Sequence, residues 1–570
     1  MLGFSALIGY QRLVTDREGG TRVSTSSPAS GSLPPLDISY EDDPKVVEQA
    51  ATEDYSLHIV PRTWRIDRLQ LTMAWWAVMT AFFYLYFASF LALAYGTVNA
   101  LIGIALSVIV YTLVNTVIVR TASRSGLTVA LFSRSLFGFV GASIATLIFA
   151  ATSIYYVVFE GSVVAVAAQT FIGGPLKLWY AIVIIATGPL VWRGVRVWLD
   201  KLNAGLLPFY TIGMIAVIVW ALVDQGYHGF LPDAKAAPGT TLPWLQAFAG
   251  YMGIWILMMF TMDFARFAKP EDEKYHIGVT FGWTYYLLTF LVNGLIGILL
   301  CSTFGISFKE LAGSESALPV NIVNLTGILG LALIAITQFR INTVNLYLAS
   351  SNLQSFFSRL NLTFPRTVWV IVACVISYIL MLTNIFSYVL DALNYQGIVI
   401  VAWVSVALAH VVYLRRSSRS AEHSEFRPGR IPAWNPGGLL AWTIASVVGV
   451  VLKITDTTTS QFFDTWGLLL TFVLGFGIYT LATSAAKPSW FAMDRPGDPA
   501  LEVDDPLEAR VRCHKCNLSY IAREMDRDPI AGHQAICAEC ATGQAFYRAA
   551  REEAKSGSLI EDKPAVGARQ

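Results

Sequence analysis

Residues 142–170 read ASIATLIFAATSIYYVVFEGSVVAVAAQT, 29 residues with one formal charge, Glu160. A helix of about 20 such residues crosses a hydrocarbon core about 30 Å thick, so the stretch reads as a membrane span. Eleven further apolar stretches accompany it, near 71–95, 98–118, 176–192, 204–223, 243–265, 277–304, 320–347, 366–383, 388–413, 437–453 and 462–485. Composition agrees. The 570 residues are 55% apolar and 14% charged, where soluble domains hold roughly 45–50% and about 25%. Mean hydropathy is +0.54. The net charge of +1 offers no basic face for phosphates, so a nucleic-acid partner is not expected.

The fold class is therefore an all-α polytopic membrane protein of about twelve spans in a lipid bilayer. Lys and Arg number 23 on the side shared by the N-terminus and the even-numbered connections, and four on the other. The positive-inside rule then puts both termini in the cytoplasm and the chain in the cell membrane. Residues 1–60 are polar, rich in Pro and Ser and non-periodic, and read as a flexible cytoplasmic arm. Residues 61–486 form the membrane core, and 487–570 a soluble cytoplasmic tail.

Charge inside a bilayer is expensive and usually faces a partner or a water-filled path. Three cases stand out. Glu160 lies mid-span, Arg340 lies two-thirds along the eighth span, and Asp263 closes the sixth. Each has a plain structural reading. Glu160 suits a protonated core carboxyl, Arg340 a guanidinium snorkelling to the interface, and Asp263 with Arg266 an interfacial pair. Tyr156 and Glu160 are four apart on one helix face, and Gln338, Asn342 and Asn345 form a polar stripe on the eighth span. An aromatic plane with a carboxylate and carboxamides suits a flat heterocycle; helix-to-helix hydrogen bonding is the other reading.

Three segments carry a family resemblance. Gly126-Leu-Thr through Arg134, Phe137, Gly138 and Gly141 resembles the GLT-to-R-x-x-F-G-x-x-G segment of cytosine permeases. Thr261-Met-Asp263-Phe264-Ala-Arg266-Phe267 resembles the close of their sixth helix, and Asn345-Leu-Tyr-Leu-Ala349-Ser350 part of their eighth. Standing in order over about 60–485, they make the chain similar to the nucleobase:cation symporter-1 (purine-cytosine permease) family. That resemblance implies an inverted five-plus-five repeat plus two helices, with broken helices 1 and 6 and a midplane site between helices 1, 3, 6 and 8. It places substrate contacts at Tyr156 and Glu160, where hydantoin transporters carry Trp and Gln. It places the stacking aromatic of helix 6 at Ile254, with Gly253 and Trp255 beside it and Trp255 taking the role by a one-residue shift. On helix 8 it points to Asn345 or, in another register, Gln338.

The departures concern coupling. Where sodium-coupled members carry two hydroxyls on helix 8, this chain has Phe339-Arg340 or Ile341-Asn342. A fixed guanidinium there replaces the ion in one register, and Glu160 becomes the alternative, proton-exchanging group. Proton or sodium coupling stays open on this reading, with Glu160, Arg340 and Asn342 as the ion-coupling or ion-replacing residues. Helix 1 carries no Gly or Pro between Leu71 and Tyr95 to mark a break.

In the tail, Cys513-His-Lys-Cys516 and Cys537-Ala-Glu-Cys540 are separated by twenty residues. Two such knuckles match a four-cysteine zinc site, in a zinc-ribbon-like module over about 510–545. Iron or a pair of redox-active thiols would use the same residues. His514 and His533 read as bystanders. A regulatory role, with a cytoplasmic protein as partner, fits such an appendage.

The expected function is secondary active import of a nucleobase or related heterocycle (cytosine, purine or hydantoin-like) by alternating access, coupled to protons or sodium. The alternative is a transporter-derived sensor that relays ligand binding to the metal module. The spans hold no nucleophile–base pair or His cluster, so an enzyme is not expected.

Overall fold

The computed structural model describes residues 33–556 except 193, 196–198, 315, 361, 363, 384–388, 417–423, 458–460 and 486–490. Each of the twelve apolar stretches contains a helix. Single helices are α4 (Thr97–Ser125), α5 (Val129–Ile172), α6 (Leu176–Leu190), α7 (Asp200–Gln225) and α10 (Pro270–Thr303). In the second half they are α13 (Ile328–Phe357), α14 (Arg366–Met381), α15 (Val389–Arg416), α16 (Pro436–Thr455) and α17 (Phe463–Ala485). The other two stretches are bent pairs. Helix α2 (Arg68–Trp75), carried on by a short turn to Thr80, and α3 (Phe82–Tyr95) meet at 45°, and α8 (Pro243–Met252) and α9 (Ile256–Ala265) at 41°.

Helices α4 and α13 run on to Ser125 and Phe357, past the 118 and 347 read from sequence, and two further differences reshape spans. The third span begins at Val129, with a kink at Gly138 (φ 83°, ψ 172°), so Arg134 lies inside a helix and is buried. A Cβ at Gly138 would stand 2.7 Å from the Pro432 carbonyl, so only glycine lets the 432–435 loop enter the kink. There Phe139 N–H donates to Pro432 at 2.9 Å and Asn435 N–H to Phe137 at 2.9 Å. The stretch 320–347 divides at Gly327 (φ 60°) into a short helix α12 (Ala317–Thr326) and α13, because the apolar run continues through the turn. A short α11 (Phe308–Gly313) precedes them, closed by a Ser307–Glu310 capping box.

Residues 33–60, expected as part of a flexible arm, are folded, and residues 1–32 lie outside the described residues. Strand β1 (Ile38–Ser39) pairs antiparallel with β2 (Arg510–Arg512), which pairs with β3 (Ser519–Ile521). Asp43 caps α1 (Pro44–Glu53) and accepts the Ser519 N–H at 3.1 Å. Val46, Ala50, Tyr55, Ile59 and Val60 are buried, and their apolar area offsets the entropy that a free arm would keep. A hairpin of β4 (Asp526–Asp528) and β5 (Gln534–Ile536), then α18 (Gln544–Ser556), complete the terminal unit. It is tied to the 424–435 loop by arginines. Arg427 binds Glu425 at 2.7 Å and Asp498 at 2.6 Å, while Arg430 and Arg495 clamp Asp526 at 3.0 and 2.7 Å.

Candidate functional site

The break between α2 and α3 frees backbone groups that a continuous helix would pair internally. Side chains from distant helices recapture them. Arg340 Nη2 donates to the Trp76 carbonyl at 3.4 Å, Asn293 Nδ2 to the Met79 carbonyl at 2.6 Å, and Phe82 N–H to Gln338 Oε1 at 3.2 Å. Thr80 Oγ1 donates to the Ala77 carbonyl at 2.8 Å. No glycine or proline is needed, because α10 and α13 supply what the break exposes. At the second break the Tyr111 hydroxyl donates to the Tyr251 carbonyl.

Between the two breaks lies a tight cavity of about 20 Å³, walled by α3, α5, α9 and α13. Tyr156 and Glu160 line it from α5, and Asn345 from α13. Phe83 and Tyr84 of α3, with Phe260 of α9, give it aromatic walls, and Ile254 closes the helix 6 side. The Phe83 ring stands edge-on to Tyr156 at 6.2 Å, and the Tyr156 hydroxyl accepts from Gln396 Nε2 at 3.1 Å. Glu160 accepts from Gln338 Nε2, which also donates to the Glu160 carbonyl at 3.3 Å. Gln338 thus ties the N-terminus of α3 to the carboxylate of α5.

The sequence candidates divide accordingly. Tyr156, Glu160 and Asn345 reach the cavity. Gln338 stands behind Glu160, and Asn342 donates to the Val157 carbonyl at 3.4 Å and accepts from Asn345 at 3.4 Å. Part of the polar stripe is therefore helix-to-helix bonding. Trp255 points elsewhere: its ring packs edge-on against Tyr111 and Phe472 at 6.3 and 5.6 Å. Ile254, the unshifted position, lines the cavity instead. Gly253 meets α15, where a Cβ on Gly397 would stand 2.8 Å from its Cα. Arg340 is fully buried and does not reach an interface; its Nε and Nη1 have no acceptor among the described residues. Phe83, Tyr84 and Phe260 were not singled out from sequence, because an unbroken run such as Phe82-Phe83-Tyr84-Leu85-Tyr86-Phe87 has no periodicity to say which face is lined.

A smaller pocket lies at the close of α9, lined by Asp263, Arg266, Ser56, Thr128, Tyr347 and Asn352 among others. Asp263 accepts the Val129 N–H at 2.8 Å, while Arg266 donates to the carbonyls of Asp263 and Tyr55 at 3.0 and 3.1 Å and to the Tyr347 hydroxyl at 3.2 Å. The two residues thus join four segments rather than acting only as an interfacial pair.

In the terminal unit the sulfurs of Cys513, Cys516, Cys537 and Cys540 all lie within 4.8 Å of one another, and none is in a disulfide. Four thiolates about 2.3 Å from one tetrahedral ion stand under 4 Å apart, so the set fits a metal with little movement. The Cys537 N–H points at Cys513 Sγ at 3.4 Å and the Cys540 N–H at Cys537 Sγ at 3.4 Å, stabilising charge on sulfur. His514 bonds Asp528 at 2.9 Å and His533 faces Glu553 at 3.5 Å, so both histidines have carboxylate neighbours of their own.

Residues 60–478 match a family model described as a permease for cytosine/purines, uracil, thiamine and allantoin. Among solved structures the chain is similar to Mhp1, a nucleobase-cation-symport-1 family transporter, in a closed conformation with bromovinylhydantoin bound. That match has a TM-score of 0.59 and 15% identity over 76% of this chain and 97% of that one. Mhp1 in its inward-facing conformation gives 0.60 and 16% over 75% and 92%. A substrate-bound, outward-open sodium-coupled sialic acid symporter gives 0.55 and 12% over 77% and 93%. No curated protein matches the sequence. These likenesses establish the inverted five-plus-five fold.

Proposed function

The chain belongs to the cytosine/purine, uracil, thiamine and allantoin permease family, and on that premise we propose that it imports a nucleobase-like heterocycle across the cell membrane, coupled to protons rather than sodium. The observation that carries this reading is the cavity between the broken helices, where aromatic rings meet one carboxylate and one carboxamide. Rings supply stacking planes for a flat ligand, Glu160 accepts from its N–H groups, and Asn345 reads donors and acceptors alike. Adjacent N–H donors, as on cytosine or guanine, suit the carboxylate best.

Coupling follows from charge. The carbonyl that ends α2 carries the negative end of a half-helix, and Arg340 meets it with a built-in cation. With that charge covalently present, a bound sodium ion has no role at this point. Glu160 faces the cavity and is the group available to gain and lose a proton as access alternates. In the tail the four cysteines hold zinc, and the excess of Lys and Arg on the side of the termini supports a cytoplasmic location for both.

The test is uptake of labelled cytosine, adenine, guanine, uracil and hydantoin into proteoliposomes under an imposed proton or sodium gradient. Proton-driven uptake of one base, indifferent to sodium and lost in Glu160→Gln, is expected. Equal uptake by Glu160→Gln and wild type across the pH gradient would remove Glu160 from coupling, and sodium-driven uptake would remove Arg340. A sensor without flux is the second reading, favoured by the contact between the terminal unit and the N-terminal segment. Ligand binding without counterflow is its signature.

A further inference from the structure

The segment Tyr55–Ile66 crosses the ends of the helices that form the central cavity. The Tyr55 carbonyl accepts from Arg266 at the end of α9, and Ser56 Oγ donates to Gln354 of α13 at 2.6 Å. Val60 N–H donates to the Gly126 carbonyl between α4 and α5 at 3.2 Å, and Ile66 N–H to Phe267 at 3.0 Å. Arg65 donates to the carbonyls of Ser123 and Ala268, the latter at 2.6 Å. The segment then runs directly into α2, the first half of the broken helix. If α2 and α9 separate from α5 and α13 at this end, the segment cannot keep its bonds to both sides.

The same segment is held from outside by the cysteine module. His58 Nδ1 lies 2.9 Å from Glu524 and Nε2 3.3 Å from Glu539, which stands between Cys537 and Cys540. The Ile59 N–H donates to the second Glu524 oxygen at 2.9 Å. The imidazole also stacks on Tyr520 of β3 at 4.2 Å and 11°. Burial alone would strip the proton from His58, but the two carboxylates reverse this and push its pKa up to about 10. All three residues that grip His58 lie between Cys516 and Cys540. The family match begins at residue 60 and ends at 478, so this grip lies outside the part of the chain that the family model matches.

We propose that the cysteine module is a metal-dependent latch: with metal bound it holds Tyr55–Ile66 as a strap across the end of the central cavity, and loss of the metal frees the strap. Glu524 is followed by Met525 and Asp526, which Arg427, Arg430 and Arg495 hold, but Glu539 stands between two of the cysteines and Tyr520 four residues past a third, so the ion sets the positions of these two most directly and completes the grip on His58. This inference rests on the reading that the cavity opens at this end during transport.

Amide hydrogen exchange of the full-length protein in nanodiscs tests it, with bound zinc measured by mass spectrometry. Chelation, or Cys513→Ser with Cys537→Ser, is expected to speed exchange across 55–66, Ile59 above all, by at least about tenfold, while α16 and α17 stay unchanged. His58→Ala, which leaves the four sulfurs in place, is expected to give the same rise with zinc fully retained. Zinc release without faster exchange at 55–66 overturns the latch. So does His58→Ala with zinc bound and exchange unaltered, and so does a rise spread equally over α16 and α17, which marks general unfolding. Exchange needs no substrate. Labelled cytosine uptake in the same preparations therefore judges the transport reading separately, and failure of uptake in every arm counts against that reading alone.

Discussion

The two broken helices bend by nearly equal angles, 45° and 41°, yet are held in opposite ways. The α2–α3 break is stitched by polar side chains from elsewhere: Arg340, Asn293 and Gln338 each take one freed backbone group. The α8–α9 break is packed. Its Gly253 lies against Gly397, Trp255 wedges between Tyr111 and Phe472, and the Tyr111 hydroxyl covers one carbonyl. A break held by hydrogen bonds responds to charge and protonation, whereas one held by close backbone contact responds to volume. The difference assigns coupling to the first and shape selection to the second.

The largest expected effect comes from adding volume at the packed break. Gly397→Val puts a side chain 2.8 Å from the Gly253 Cα, where only backbone can yield, and is expected to cost about 3 kcal/mol or more. Thermal unfolding of the purified protein reads this directly, and an unchanged Tm would show the contact to be slack. At the polar break, Gln338→Leu strands the Phe82 N–H and takes one donor from Glu160, for about 2 kcal/mol or more. Tyr111→Phe at the packed break leaves the Tyr251 carbonyl its bond from the Ile254 N–H at 3.2 Å and is expected to cost about 1 kcal/mol or less on the same assay. Equal losses from these two variants would erase the contrast.

Arg340→Ser sharpens the contrast through ions. Removing the guanidinium leaves the Trp76 carbonyl without its cation, so sodium chloride is expected to raise the Tm of this variant and leave wild type unmoved, with choline chloride as control. A buried arginine outside the spans gives the reference case. Burial would raise the pKa of Glu425, but Arg427 beside it holds the carboxyl well below its ordinary 4.5. Burial pushes half-buried Asp498 up as well, but its hydrogen bond and charge pairing with Arg427 bring it below 3.8. Carboxyls lowered on folding contribute their full stability above the unfolded pKa and lose it only as pH falls through the folded values. Limited proteolysis of the tail is thus expected to be unchanged between pH 7 and about pH 5. Release of the tail within that range would contradict the ion-pair geometry.

Much of the fold was legible because span length is a local property of sequence. The family motifs were legible too, and Gly138 proved to be the kink that seats the 432–435 loop. The α2–α3 break was implied by the family resemblance but is not marked in helix 1 itself, since its cause lies in Asn293, Gln338 and Arg340, more than two hundred residues downstream. Of the cavity, Tyr156, Glu160 and Asn345 were found by polarity on apolar helices, which is a rare signal. Phe83, Tyr84 and Phe260 were hidden, because an aromatic among aromatics carries none. The fold of residues 33–60 was hidden for another reason. A two-residue strand leaves no periodicity, and its partner is at the other end of the chain.

That strand pairing has a consequence for how the protein is made. Ile38 finds its partner in Val511, some 470 residues later, so β1 leaves the ribosome with nothing to pair with. At about 5–20 residues per second it waits roughly half a minute to a minute and a half. Every membrane span is synthesised in that interval. Closure of this small sheet is therefore a record that every membrane span has been made, and a molecule truncated before residue 510 carries an N-terminal segment that can never be sewn down.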